Sequence, residues 1–124
     1  SETNLKGGNA MPGVLDTKSK DFALRIIKLC NALRSSGRER VLINQLIRSG
    51  TSVGANIREA NYAHGRADFI AKLHIALKEC AESEYWLELL IEAGFCSDRE
   101  ALELCREIKR LLISSLNTAK GGAV

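Results

Sequence analysis

Proline occurs once in the 124 residues, aromatic side chains make up 5% of them, and no uninterrupted apolar stretch approaches membrane-spanning length. A span needs about 20 predominantly apolar residues, so a membrane helix is excluded. The N-terminus is rich in Ser, Asn and Gly, which does not read as a signal peptide. With one proline and no sustained period-two alternation, strands have no support and long helices have little to interrupt them. Histidine is equally scarce: His64 and His74 stand ten residues apart, the wrong spacing for a metal pair on one helix. Gly50 and Gly54 lack the Lys-Ser/Thr that would make them a phosphate loop, and no serine sits in a nucleophile elbow. Catalytic chemistry therefore has no visible constellation. The sequence reads as a non-enzymatic protein with no cofactor and no metal.

What is present is a helical mixture, 45% hydrophobic and 27% charged, long enough for one core. The cysteines, Cys30, Cys80, Cys96 and Cys105, match neither zinc nor redox spacing. Three fall on apolar helix faces, where free cysteine acts as a small hydrophobe, and a reduced cytoplasmic protein is expected.

Along the chain, residues 1–16 read as a flexible arm, 17–118 as a four-helix bundle and 119–124 as a flexible tail. The first helix should begin near Lys18, capped by Asp16, Thr17 or Ser19, with Phe22, Ile26, Leu29, Cys30 and Leu33 inward and Gly37 as its stop. The second, from about Glu39 to Ala63, should bury Ile43, Leu46, Ile47, Gly50, Val53, Gly54 and Ile57. Asp68 should open a third helix carrying Phe69, Leu73, Ala76, Leu77, Cys80, Leu87 and Ile91, ended by Gly94. Ser97 and Glu100 have capping-box spacing for a fourth, with Ala101, Cys105, Ile108, Leu112 and Leu116 inward. Short connections between helices of this length predict an all-α, antiparallel up-down-up-down bundle.

Some residues do not fit a lone bundle. Gln45, Arg48, Ser49, Ser52, Asn56 and Glu59 form a polar line on the second helix, short enough for close approach of another backbone or simply a wet face. Ile75, Trp86, Leu89 and Leu90 cluster off the third helix's core face, as an interface would. Arg48, Ser52, Asn56, Glu59, Ile75, Trp86, Leu89 and Leu90 are therefore the expected surface of homo-oligomerisation. Glu84 lies within an apolar stripe and needs a donor, with Arg48 or another base of the second helix as candidate. Charge is uneven: residues 1–66 hold eleven Lys/Arg and five Asp/Glu (+6), residues 67–124 seven and ten (−3). That asymmetry either marks a nucleic-acid face or lets two halves of the bundle attract each other. For the first case Arg25, Lys28, Arg38, Arg40, Arg58 and Arg66 would supply phosphate contacts.

Three segments, 21–33 (DFALRIIKLCNAL), 45–60 (QLIRSGTSVGANIREA) and 67–94 (ADFIAKLHIALKECAESEYWLELLIEAG), resemble a bacterial family. It is the four-helix-bundle family first recognised as products of intervening sequences inside large-subunit ribosomal RNA genes. The accessory variability protein of diversity-generating retroelements is related to it. The resemblance covers roughly residues 18–118, and the middle segment is its most specific part. Some branches carry proline near the position of Gly54, where glycine here permits a straighter helix. The resemblance implies a ring, typically a homopentamer, without catalytic activity. It also implies contact with RNA or DNA through basic surfaces, or with a partner protein such as a reverse transcriptase. Arg48, Ser52, Asn56, Glu59, Asp68, Phe69, Lys72, Glu79, Tyr85 and Trp86 match its signature. Two functions follow as expectations: an RNA-associated homo-oligomer, or an adaptor ring that docks a partner enzyme and binds no nucleic acid.

Overall fold

Hydrophobic residues recurring every three to four positions give each helix one buried stripe, and four stripes close on a single core. The computed structural model describes residues 13–37 and 39–121. Its elements are α1 (Val14–Ser35), α2 (Arg40–Asn61), α3 (Arg66–Glu92) and α4 (Arg99–Ala119), with no strand among the described residues. α1 and α3 each pack on both α2 and α4, the arrangement of a four-helix bundle.

Polar contacts between helices tie opposite ends together. Arg34 near the end of α1 reaches Asn44 near the start of α2 (2.9 Å), while Asn61 at the end of α2 donates to Asp16 at the start of α1 (2.7 Å). Lys72 pairs with Glu59 across α3 and α2 (3.1 Å), and Lys18 with Glu107 across α1 and α4 (3.0 Å).

Helix ends depart from expectation where side chains offer better caps. α1 starts at Val14 rather than near Lys18, so residues 14–16 belong to the helix and not to the arm. The reason is Asp16, whose carboxylate accepts the Gly13 N–H (3.1 Å) and sits at the positive helix end. α4 is capped by Asp98, not Ser97: Asp98 Oδ1 accepts the Ala101 N–H (3.1 Å) while Glu100 turns to Arg25. α3 begins two residues before Asp68, which instead accepts the His64 N–H. α2 ends at Asn61, two residues short of the expected Ala63. Gly37 and Gly94 do end their helices with left-handed backbone, φ 74° and 83°. Residues 1–12, 122–124 and Arg38 lie outside the described residues.

The inward stripes hold in the main, with Leu29, Ile47, Gly54, Phe69, Leu77 and Ile91 only half-buried at the rim of the core. Two positions expected outside it are fully inside. Leu90 is buried and joins the core, so it belongs to no outer surface. Ser49 is likewise buried: the close approach its small hydroxyl permits is that of α3, where Ser83 Oγ donates to Ser49 Oγ (2.7 Å). Ser49 in turn donates to the Leu46 carbonyl (3.3 Å), so neither hydroxyl is left unmet.

Gly50 and Gly54 explain the close pairing of α1 and α2. A Cβ at Gly50 would stand 3.0 Å from Ile26 Cγ2, and one at Gly54 would stand 3.3 Å from Ser19 Oγ. The helix-propensity cost of two glycines, about 1 kcal/mol each, is offset by this contact.

Candidate functional site

Arg25 lies with its guanidinium against Asp98 (2.9 Å) and Glu100 (2.8 Å), joining α1 to the start of α4. The hydrogen bond to Asp98 leads the factors that raise the Arg25 pKa, and burial works against it. This cation is spent within the fold. Lys28, Arg40 and Arg58 are exposed and have no ion pair among the described residues. Arg66 is exposed and donates Nε–H to the Ala119 carbonyl (2.6 Å). The described candidates thus stand on different elements: Arg25 and Lys28 on α1, Arg40 and Arg58 on α2, Arg66 at the start of α3. Arg40 and Arg58, eighteen residues and five whole turns apart, share one line of α2 about 27 Å long. Between them on that flank lie Asn44, Ile47 and Thr51, without an acid.

The expected oligomer surface occupies the outer seam between α2 and α3. Arg48 spans Glu79 (3.1 Å) and Glu82 (2.6 Å), and Trp86 Nε1 donates to the same Glu82 carboxylate (3.2 Å). Ser52 donates to the Arg48 carbonyl (2.7 Å), and Asn56 to the Ser52 carbonyl (2.9 Å). Glu59 closes the seam on Lys72. Arg48, Ser49 and Glu59 thus join α2 to α3, whereas Ser52 and Asn56 bond back onto α2's own carbonyls. Among the apolar members, Ile75 is 39% exposed while Trp86 and Leu89 are half-buried. Tyr85 lies against Trp86 with ring centroids 5.4 Å apart.

Glu84 finds its donors on α4, not on α2. Lys109 Nζ approaches one oxygen (2.6 Å) and Arg106 Nε the other (2.9 Å), whereas Arg48 is committed to Glu79 and Glu82. Burial pushes the Glu84 pKa up, but the hydrogen bonds from Lys109 and Arg106 outweigh it and hold the carboxyl below its ordinary range. An acid held ionised this way is a structural ion-pair member and a poor proton donor. The same helix pair joins Cys80 and Cys105, whose sulfurs lie 3.7 Å apart in the core. The hydrogen bond to Cys80, then burial, raise the Cys105 pKa, and burial pushes the Cys30 thiol up to about 11. Buried thiols of raised pKa are weak nucleophiles.

Among the described residues no group of three His, Cys, Asp or Glu is placed to hold a metal ion. None of the described helices is long and apolar enough to cross a membrane. Sequence reasoning gave no role to Tyr62, which is 82% exposed just past the end of α2. The available signal was local: Arg58 one turn before it, His64 and Arg66 just after.

Residues 15–114 match the family of 23S rRNA-intervening sequence proteins. Among solved structures, a protein of unknown function from the S23 ribosomal protein family of Bacteroides thetaiotaomicron is 49% identical to this chain. The two superpose with a TM-score of 0.80 over 83% of this chain and 98% of the other. A comparison with curated proteins finds no match. On the family match and the likeness of fold together, the chain belongs to the 23S rRNA-intervening sequence protein family.

Proposed function

We propose that this chain is a non-enzymatic, RNA-associated bundle that assembles with copies of itself in the cytoplasm. Its helices run up, down, up and down, antiparallel to their neighbours, and the copies close into a ring, with a pentamer as the expected closure. The observation that carries the RNA reading is the ion-pair accounting. Arg25, Arg48 and Arg106 are all spent on carboxylates, yet Lys20, Lys28, Arg40 and Arg58 on α1 and α2 are exposed without an ion pair among the described residues, as are Lys78, Arg99, Arg110 and Lys120 of the second half. Cations left out of the fold's own pairs are free to meet phosphate, a contact that carries affinity without sequence preference. Membership in a family named for an rRNA intervening sequence favours RNA as the polyanion.

The test is titration of a fluorescent structured RNA at several salt concentrations, comparing the wild type with an Arg40→Glu/Arg58→Glu pair. Wild-type binding should weaken steeply with salt. The double variant should bind more weakly at low salt, with a log–log slope shallower by about 1.4–1.8 if each arginine meets one phosphate. Equal affinity and slope in both proteins would overturn the assignment to these arginines. No binding by the wild type at any salt would leave the adaptor reading, a ring holding a partner enzyme.

A further inference from the structure

The turn between α2 and α3 presents the most exposed large apolar side chain among the described residues, Tyr62 at 82%. The contrast with Tyr85 is instructive. Tyr85 is tilted against Trp86 on a helix rich in carboxylates, whereas the Tyr62 ring has no stacking or hydrogen-bond partner among the described residues. Its neighbours are basic. Arg58 lies one turn earlier on α2, exposed and without an ion pair among the described residues, and i,i+4 spacing sets it on the side of the helix that leads to Tyr62. Arg66 opens α3 four residues later, and its Nε–H bond to Ala119 draws the end of α4, with exposed Lys120, to the same end of the bundle. The other four N–H groups of Arg66 have no partner among the described residues.

Of the described acids nearby only Glu59 meets a cation, and the other two accept from neutral N–H groups. Asp68 accepts the His64 N–H, Glu59 pairs with Lys72, and Asp16 takes both the Asn61 amide and the Gly13 N–H. An unpartnered aromatic face among unspent cations is the arrangement by which proteins hold unpaired nucleotides, the base stacking and the backbone meeting positive charge. A protein contact fits less well, because the residues that border Tyr62 in the chain, Arg58, Asn61 and His64, are polar and supply none of the apolar surround that the core of a protein interface has.

We propose that Tyr62, flanked by Arg58 and Arg66, is a contact for single-stranded RNA, one unpaired base stacking on the phenol ring while adjoining phosphates meet the guanidinium groups. This rests on the RNA-associated reading above and adds to it the strandedness of the ligand and the residue that selects it. The contact is indifferent to base identity, since every base has a π-face.

The experiment is fluorescence anisotropy with a labelled single-stranded RNA and a duplex of the same length, using the full chain as wild type, Tyr62→Ala and Tyr62→Phe. Tyr62→Ala should weaken single-strand binding roughly 5- to 150-fold, leave duplex binding and the salt slope unchanged, and be rescued by phenylalanine. Removing a side chain this exposed should leave the thermal melt of the bundle unchanged, and light scattering checks the assembly. Equal single-strand affinity of Tyr62→Ala and wild type would overturn the stacking contact while leaving the RNA reading intact. A loss by Tyr62→Ala that is equal on duplex and single strand would overturn it as well. A fall in the assembled mass of Tyr62→Ala would overturn it in favour of a contact between copies. Absence of any wild-type RNA binding would overturn both readings.

Discussion

Asp98 and Glu84 show how single carboxylates hold helices that the core alone does not fix. Each is opposed by burial and rescued by donors: the Arg25 cation and the neutral Ala101 N–H for Asp98, the Lys109 and Arg106 cations for Glu84. Both pKa values therefore lie below the ordinary 3.8 and 4.5. A carboxyl whose folded pKa is depressed binds protons more tightly when unfolded. Its contribution is thus complete above the ordinary value and is lost as pH falls through the lowered one. Because their cationic partners stay about a third exposed, neutralising either acid should cost about 1–2 kcal/mol, between surface and fully buried pairs. An Asp98→Asn/Glu84→Gln protein should melt lower than wild type at pH 7. Its melting temperature should also fall less between pH 5 and pH 2, and an acid limb as steep as the wild type's would show that these two acids do not set it.

At the scale of the element, the number and order of the helices were legible because each carries a stripe of period 3.6 and the turns hold glycine. Gly37 and Gly94 at positive φ are the clearest cases. Pairings across helices were not legible. Leu90 looked peripheral on its own wheel, yet α3 buries a stripe wide enough to include it, since α3 packs on both α2 and α4. The donor to Glu84 was sought on α2 because a single sequence does not say which flank of α3 faces which neighbour. Of the candidate site, the polar line on α2 was visible, but its division into Ser49 inside and Arg48 on the seam needed the neighbouring helix. The same limit hid Tyr62, whose ring has no partner among the described residues.

Gly50 gives the element scale its own test. Alanine there gains about 1 kcal/mol in helix propensity but drives a methyl to 3.0 Å from Ile26 Cγ2 and 3.1 Å from its Cγ1, in a fully buried contact. The clash should win, leaving Gly50→Ala about 1–2 kcal/mol less stable in urea. Ile26→Ala alone should cost about 2–5 kcal/mol through the cavity it leaves. In the double variant the new methyl occupies part of that cavity, so the combined loss should be clearly smaller than the sum. Additive losses would mean that α1 and α2 shift apart rather than collide.

For the whole molecule, the charge asymmetry of the sequence becomes spatial, in part as attraction between the two halves of the bundle. Arg25 and Lys18 of α1 bind acids of α4, so part of the +6 is spent attracting the −3 half. Of the rest, Lys20, Lys28, Arg40 and Arg58 are exposed and carry no ion pair among the described residues. Self-assembly has a different footing. Its polar candidates on the α2–α3 seam already have partners, which leaves Ile75, at 39% exposure beside half-buried Trp86 and Leu89, as the apolar material a second copy could cover. A ring built on that seam should not tolerate a charge at its centre, because burying an unpaired cation costs several kcal/mol per copy. Light scattering should therefore give the wild type a mass well above the 13.6 kDa of one chain, and Ile75→Arg a mass near that value with helical circular dichroism unchanged. An Ile75→Arg protein that keeps the wild-type mass would move the interface off this seam, onto the apolar positions Leu24 and Ile27 of α1 or Ile113 of α4. A wild type of 13.6 kDa would remove self-assembly from the reading and leave the proposed RNA contact to a single bundle.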